Sequence, residues 1–406
     1  MAAMAPGRWT PWLLAMALAA LGPAAAVTVA GRAVVQEGTP GTDGPLQAPR
    51  GPAPPALLLV SSPAERKVAY ARLAGDEAMG GILRPLVDSG LGGPCGLAYD
   101  AARSALYVAD PPSRRILRYV LRVRRCAGHG CILDYGLELE GTELVVLQGV
   151  LSAWVAVDST GSLYWTDQEA RSVSRLDAGV LRRLVSGSLT AGDIVAVPQQ
   201  ELEALAAVAA PGGALRAAAE ALYEAAASSQ VATPAGVAAD GTAVYWANQA
   251  QGLQRGSVAA GPAAPPLQAV PLTNATEAAY GVAGARGAVL FTDSERRLSA
   301  IGRIDGRVTT LAQGFGAPRG VVWDGDGTAF VADMGGSAIY ALPCGSHVGG
   351  GRIHRVLDFH GPFGLALVRA ADPAFGEALD SGAARTRAVA GLTLALAATL
   401  RPRSWP

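Results

Sequence analysis

Lysine is almost missing from this sequence: of 33 basic residues, Lys67 alone is not an arginine. Histidine and cysteine number four each, and aromatics make up 6% of the 406 residues. Charge of one sign is missing too, because 33 acidic residues balance the 33 basic ones. That balance removes the usual reason to expect nucleic acid or an anionic membrane as the main partner. Long apolar runs are absent: residues 11–21 and 388–400 fall short of the roughly 20 needed to span a bilayer. No P-loop, dinucleotide fingerprint or nucleophile elbow occurs. His347, His354 and His360 share one Gly-rich stretch, but no base–nucleophile constellation surrounds them.

The ends of the chain have their own compositions. Arg8, the apolar run 11–21 and the small residues Ala24, Ala25 and Ala26 form a signal-peptide pattern over residues 1–26. The expected localisation is therefore the secretory pathway, extracellular or at the cell surface. Residues 27–55 are a Pro/Gly-rich linker. Residues 371–406 form a tail whose apolar segment, 388–400, is read as loose or docked. A lipid-anchor signal around Ser381, Gly382 and Ala383, or a short span, are the readings that would involve a membrane. In a secreted chain, Cys126 and Cys131 in "CAGHGC" are spaced for a local disulfide, with free thiols the alternative. With His129 they give three ligands where a structural zinc takes four.

What is present is a repeat. "GLAYDAARSALYVAD" starts at Gly96, and "VAVDSTGSLYWTD" at Val155. "GVAADGTAVYWAN" starts at Gly236, "GVAGARGAVLFTD" at Gly281 and "GVVWDGDGTAFVAD" at Gly320. Each reads as a short strand, a polar turn, a strand ending in Asp or Asn, a second turn and an alternating third strand. Fourth strands follow at Glu143, Val180, Pro266, Arg307 and Arg352, and a sixth lies in "GILRPLVDSG" from Gly81. The unit that contains this sixth strand lacks its first strand, and "GPFGLALV" at residues 361–368 supplies one. This is the arithmetic of an all-β, six-bladed propeller of four-stranded antiparallel blades over residues 56–370. N- and C-terminal strands share the last blade. Radial closure limits exposed sheet edges, and the spacing of about forty residues suits a blade.

"LYWTD" at Leu163 and its surroundings resemble the YWTD repeat of low-density-lipoprotein-receptor class B propellers. "APRGVVWDGDGTAFVADMGGSAIYAL" at Ala317 resembles the related NHL repeat. The resemblance implies the fold, not an activity, because this fold hosts binding modules and enzymes alike. Asp110, Asp167, Asn248, Asp293 and Asp333 occupy one position of the repeat. Recurrence in five units points to turn residues that accept backbone N–H bonds rather than to catalysts. No catalytic residue and no resident metal or cofactor is expected.

Residues 190–233 interrupt the repeat. "QQELEALAAVAA" and "ALRAAAEALYEAAAS" read as two helices joined at Pro211-Gly212-Gly213, a small α-helical insertion on the face of the blade-to-blade connections. Asn274 begins a sequon on that face, a glycosylation site if the chain is secreted. The expected function is a binding scaffold with a protein or glycan partner on the face that bears the insertion. The competing reading is a metal-dependent lactonase or esterase similar to the gluconolactonase propellers, with Ca²⁺ or another divalent cation in the channel. That group's Asn-Gly ligand element has no counterpart before Gly236, Gly281 or Gly320.

Overall fold

Alternation of apolar and small residues, broken every five to seven positions by Gly, Asp or Ser, leaves this chain short strands as its way to bury surface. The computed structural model describes residues 56–73, 82–125, 135–198, 217–224, 231–258, 269–273, 276, 278–344, 353–369 and 372–375. They form six sheets, five of four strands and one of five. The expected six-bladed propeller is the fold.

Blade 1 runs Leu97–Asp100, Ala105–Asp110, Arg115–Arg125 and Tyr135–Gln148 from first (innermost) to fourth strand. Blade 3 is Pro234–Ala239, Ala243–Asn248, Gly252–Ser257 and Ala269–Thr273. Blade 4 is Ala279–Ala285, Ala288–Asp293, Arg297–Gly302 and Val308–Gln313. Blade 5 is Pro318–Trp323, Thr328–Asp333, Ala338–Pro343 and His354–Asp358. Blade 6 closes the ring: Leu365–Arg369 lies innermost, followed by Ala56–Ser62, Lys67–Leu73 and Arg84–Val87. Across the closure Leu57 pairs with Val368, Leu58 with Leu367, Leu59 with Ala366 and Val60 with Leu365, antiparallel. All eight side chains are buried.

Blade 2 departs from the expectation. Its first three strands are Trp154–Val157, Leu163–Asp167 and Ser172–Leu176. Residues 180–187, expected to be the fourth strand, instead fall mostly within a helix, Ala178–Val185. Asp177 caps it through Gly179 N at 2.6 Å, and Leu181 and Leu184 point into the core. The fourth strand is Ala217–Glu224, a stretch expected to be helical, paired antiparallel with Ser172–Leu176. Ile194–Pro198 runs parallel to it as a fifth strand.

Alanine favours a helix, yet packing decides here. The Tyr223 ring lies 4.8 Å from that of Trp246, and its hydroxyl donates to Ser257 O at 2.8 Å. The described parts of the segment expected as an insertion thus include the fourth and fifth strands of blade 2. The segment's expected position on the blade-to-blade face rested on a fourth strand at Val180, which the helix replaces. Residues 199–216, the signal-peptide and linker segments, and the tail from 376 lie outside the described residues. Among the described residues, no helix is long and apolar enough to cross a membrane.

Candidate functional site

Asp110, Asp167, Asn248, Asp293 and Asp333 end the second strands of blades 1 to 5, and all five are buried. Asp333 accepts from Gly316 N at 2.7 Å, Ala317 N at 2.6 Å and Gly336 N at 3.1 Å. Asp167 accepts from Leu151 N at 3.0 Å and from Glu169 N and Ala170 N at 2.9 Å. Asp110 takes Gly93 N at 2.8 Å and Gly92 N at 3.1 Å. Asp293 takes Arg297 N at 3.0 Å and its guanidinium at 2.9 Å, while Asn248 binds Thr233 Oγ1 at 2.7 Å and Ala250 N at 3.1 Å. In blades 1, 2 and 5 one carboxylate thus ties the loop entering the blade, on the four-to-one side, to the second strand's end. In blades 2 and 5 it also holds the two-to-three turn.

The Asp residues after first strands are spent in the same way. Asp324 Oδ1 accepts from Asp326, Gly327 and Thr328 N at 2.8–2.9 Å. Asp158 gathers Thr160, Ser162 and the Tyr164 hydroxyl, and Asp240 gathers Thr242, Ala243 and the Arg303 guanidinium.

The residue before the repeated Asp has a separate task. Thr166 Oγ1 donates to Ala235 O of blade 3 at 2.6 Å, and Thr292 Oγ1 to Arg319 O of blade 5 at 2.7 Å. Ser61 Oγ donates to Cys95 O of blade 1 in the same register. Gly281 N and Gly364 N donate back to the Thr292 and Ser61 hydroxyls at 2.9 and 2.8 Å. Where that residue is Ala109 or Ala332, Gly96 N and Gly320 N reach the next blade directly, to Ala153 O at 2.9 Å and Phe363 O at 2.8 Å. A hydroxyl relay or a direct backbone bond thus laces neighbouring first strands together.

The glycines at this level, Gly96, Gly236, Gly281, Gly320 and Gly364, stand against the next blade's backbone. A Cβ on any of them would come within 3.0 Å of it. Only glycine permits that approach. Blade 2 is the exception. Pairing of Trp154 with Thr166 places Trp154 in the glycine register, and its ring crosses to Phe363 of blade 6, centroids 4.7 Å apart. Side chains from four blades gather at this end of the channel: Trp154, Phe363 and the Arg319–Tyr280 pair, whose guanidinium lies 4.3 Å from the ring centroid. Toward the face of the one-to-two turns, the channel widens into a cavity of about 280 Å³ walled by first strands of all six blades. Its walls are mostly Val, Leu and Ala, with Trp323, Arg369 and Asp372 at the mouth. Burial pushes the Asp372 carboxyl up, against the Arg369 N–H and charge.

A divalent cation needs several free oxygen or nitrogen donors. Among the described residues, no three His, Cys, Asp or Glu side chains are grouped to hold one. His354 and His360 sit at the outer strand of blade 5 and just beyond it, away from the channel. Cys95 and Cys344 are buried free thiols. His347, Cys126, Cys131 and the sequon residue Asn274 lie outside the described residues.

Sequence reasoning missed Trp154, Tyr280, Arg319 and Phe363. The signal was available: aligned on Asp100, Asp158, Asp240 and Asp324 after their first strands, three repeats carry Gly four residues earlier where the fourth carries Trp154.

No protein-family model matches the chain, and no curated protein matches its sequence. Solved structures do share the fold. A chain of a nidogen/laminin complex aligns at a TM-score of 0.52 and 13% identity, over 77% of this chain and 98% of that one. A gluconolactonase from Xanthomonas campestris aligns at 0.41 and 15%, over 79% and 91%. The periplasmic gluconolactonase of Pseudomonas aeruginosa aligns at 0.45 and 12%, over 77% and 99%. At these identities the likeness is one of fold.

Proposed function

We propose that this chain is a secreted or surface-exposed binding scaffold for a protein or glycan partner and works without a resident metal. The observation that carries this reading is the state of its carboxylates: Asp110, Asp158, Asp167, Asp293, Asp324 and Asp333 are engaged by backbone or side-chain donors of the propeller's own loops. None of these is left free as a general base or ligand, and Asp372, the one carboxylate among the residues lining the cavity, accepts from Arg369 N at 2.6 Å. A lactonase of the gluconolactonase type needs such groups around its cation. The interlaced first strands instead support a rigid disc that presents loops, and the fold-sharing chain of the nidogen/laminin complex belongs to a protein complex.

The test uses the purified mature chain. Metal analysis should find no stoichiometric Ca²⁺ or Zn²⁺, and gluconolactone should turn over at the uncatalysed rate. A glycan array together with cross-linking to extracellular matrix proteins should return a saturable partner. Metal at one equivalent together with lactone hydrolysis would overturn the reading.

A further inference from the structure

Arg319 is an anomaly within its repeat. The equivalent residues before the first-strand glycines are Cys95, Ala235, Tyr280 and Phe363, all uncharged. Arg319 is 3% exposed, and its one hydrogen bond among the described residues runs from Nη1 to Pro318 O at 3.0 Å. Its Nε is buried with no partner. The guanidinium lies over the Tyr280 ring, which satisfies its π-face but none of its in-plane donors.

The vacant donors matter in their arrangement. A guanidinium grips a carboxylate side-on through the Nε and Nη2 edge, and that edge is the one left unused here. A second buried donor without a partner, Trp154 Nε1, belongs to the same end of the channel and is linked to blade 5 through Phe363. Trp154 is 5% exposed. Burying an unpaired cation is costly, and so is each N–H left without an acceptor. Among the described residues no carboxylate ion-pairs with Arg319; Asp333 acts on it only at a distance and has given its oxygens to Gly316, Ala317 and Gly336. Tyr280, which stacks on Arg319, is half-buried.

We infer that the end of the channel that bears Arg319 is a binding site for a small organic carboxylate. The Arg319 Nε/Nη2 edge holds the carboxylate, Tyr280 fixes the guanidinium plane, and Trp154 Nε1 is the further donor at that end. The site is independent of the partner surface proposed above, and it needs neither a metal nor a bond-making step.

The test is thermal unfolding and calorimetric titration of the purified whole chain at constant ionic strength. Acetate, lactate and glucuronate are the probes, with chloride and phosphate as reference anions. At least one carboxylate should raise the unfolding temperature above the chloride baseline and titrate to one equivalent. Arg319→Lys, which keeps the charge but loses the fork, should weaken it at least tenfold. Tyr280→Leu should weaken it less. Because an Arg319 variant can lose stability, the wild-type comparison stands alone as a criterion. Equal stabilisation by carboxylates, phosphate and chloride, or none by any carboxylate, overturns the site. So does undiminished binding in a folded Arg319→Lys.

Discussion

Thr292 and Asp333 show how individual residues hold this ring. Thr292 Oγ1 receives Gly281 N and donates to Arg319 O, so one hydroxyl closes the junction between blades 4 and 5. Thr292→Val keeps the shape and strands both groups in the interior. It should cost about 1–3 kcal/mol in urea unfolding, whereas Thr292→Ser should cost less. Asp333→Ala leaves three backbone donors without an acceptor and should cost at least as much, since hydrogen bonds to a charged group are worth about 1.5–3 kcal/mol.

Asp240 gives the pH dependence at this scale. Burial pushes its carboxyl up, but the Ala243 and Thr242 bonds and the Arg303 charge outweigh burial and hold it below the usual carboxylate range. A depressed value means its stabilisation is full above the unfolded pKa of about 3.9 and is lost as pH falls through the lower folded value. The stability gap between wild type and Asp240→Asn should therefore narrow on acidification below about pH 4 and stay constant above it. The repeated Asp positions were legible in the sequence because a turn acceptor recurs at fixed spacing. Thr166, Thr292 and Ser61 were not, because a hydroxyl bonding across a junction has no local pattern.

At the scale of elements, blade 1 carries an extension the repeat did not announce. Its third and fourth strands, Arg115–Arg125 and Tyr135–Gln148, run on as a two-stranded ribbon, and Arg122 pairs with Glu138 and Val123 with Leu137. Tyr119, Leu121, Val123 and Leu137 are buried in one cluster with Leu57, Leu59, Tyr70 and Val368 of the closing blade. The outward side bears Arg124 and Glu138, 2.7 Å apart. The ribbon lies against the blade where the termini meet, and Leu121→Ala should cost about 2–5 kcal/mol, read as a fall in the urea midpoint. An exposed Arg124→Ala should be nearly silent.

Blade 2 teaches the opposite lesson about legibility. The repeat called for a fourth strand directly after Leu176, and the alanines of 217–224 called for a helix. A capped amphipathic turn at Asp177 and the docking of Tyr223 on Trp246 reversed both. Local propensity is a weak guide where a sheet edge needs a partner.

For the whole molecule, the closure was readable because the count of strands failed to come out without it: one first strand was missing near the N-terminus and one was spare near the C-terminus. Trp154 was equally present in the letters, standing in a column of glycines, but its meeting with Phe363 of blade 6 needed the ring.

The ring closure is tested most directly by hydrogen exchange. Amides of Ala56–Ser62 and Leu365–Arg369 should exchange together, at the rate set by global unfolding, and truncation after Gly361 should strip protection from Ala56–Ser62. Unchanged protection of Ala56–Ser62 in the truncated chain would contradict the shared blade.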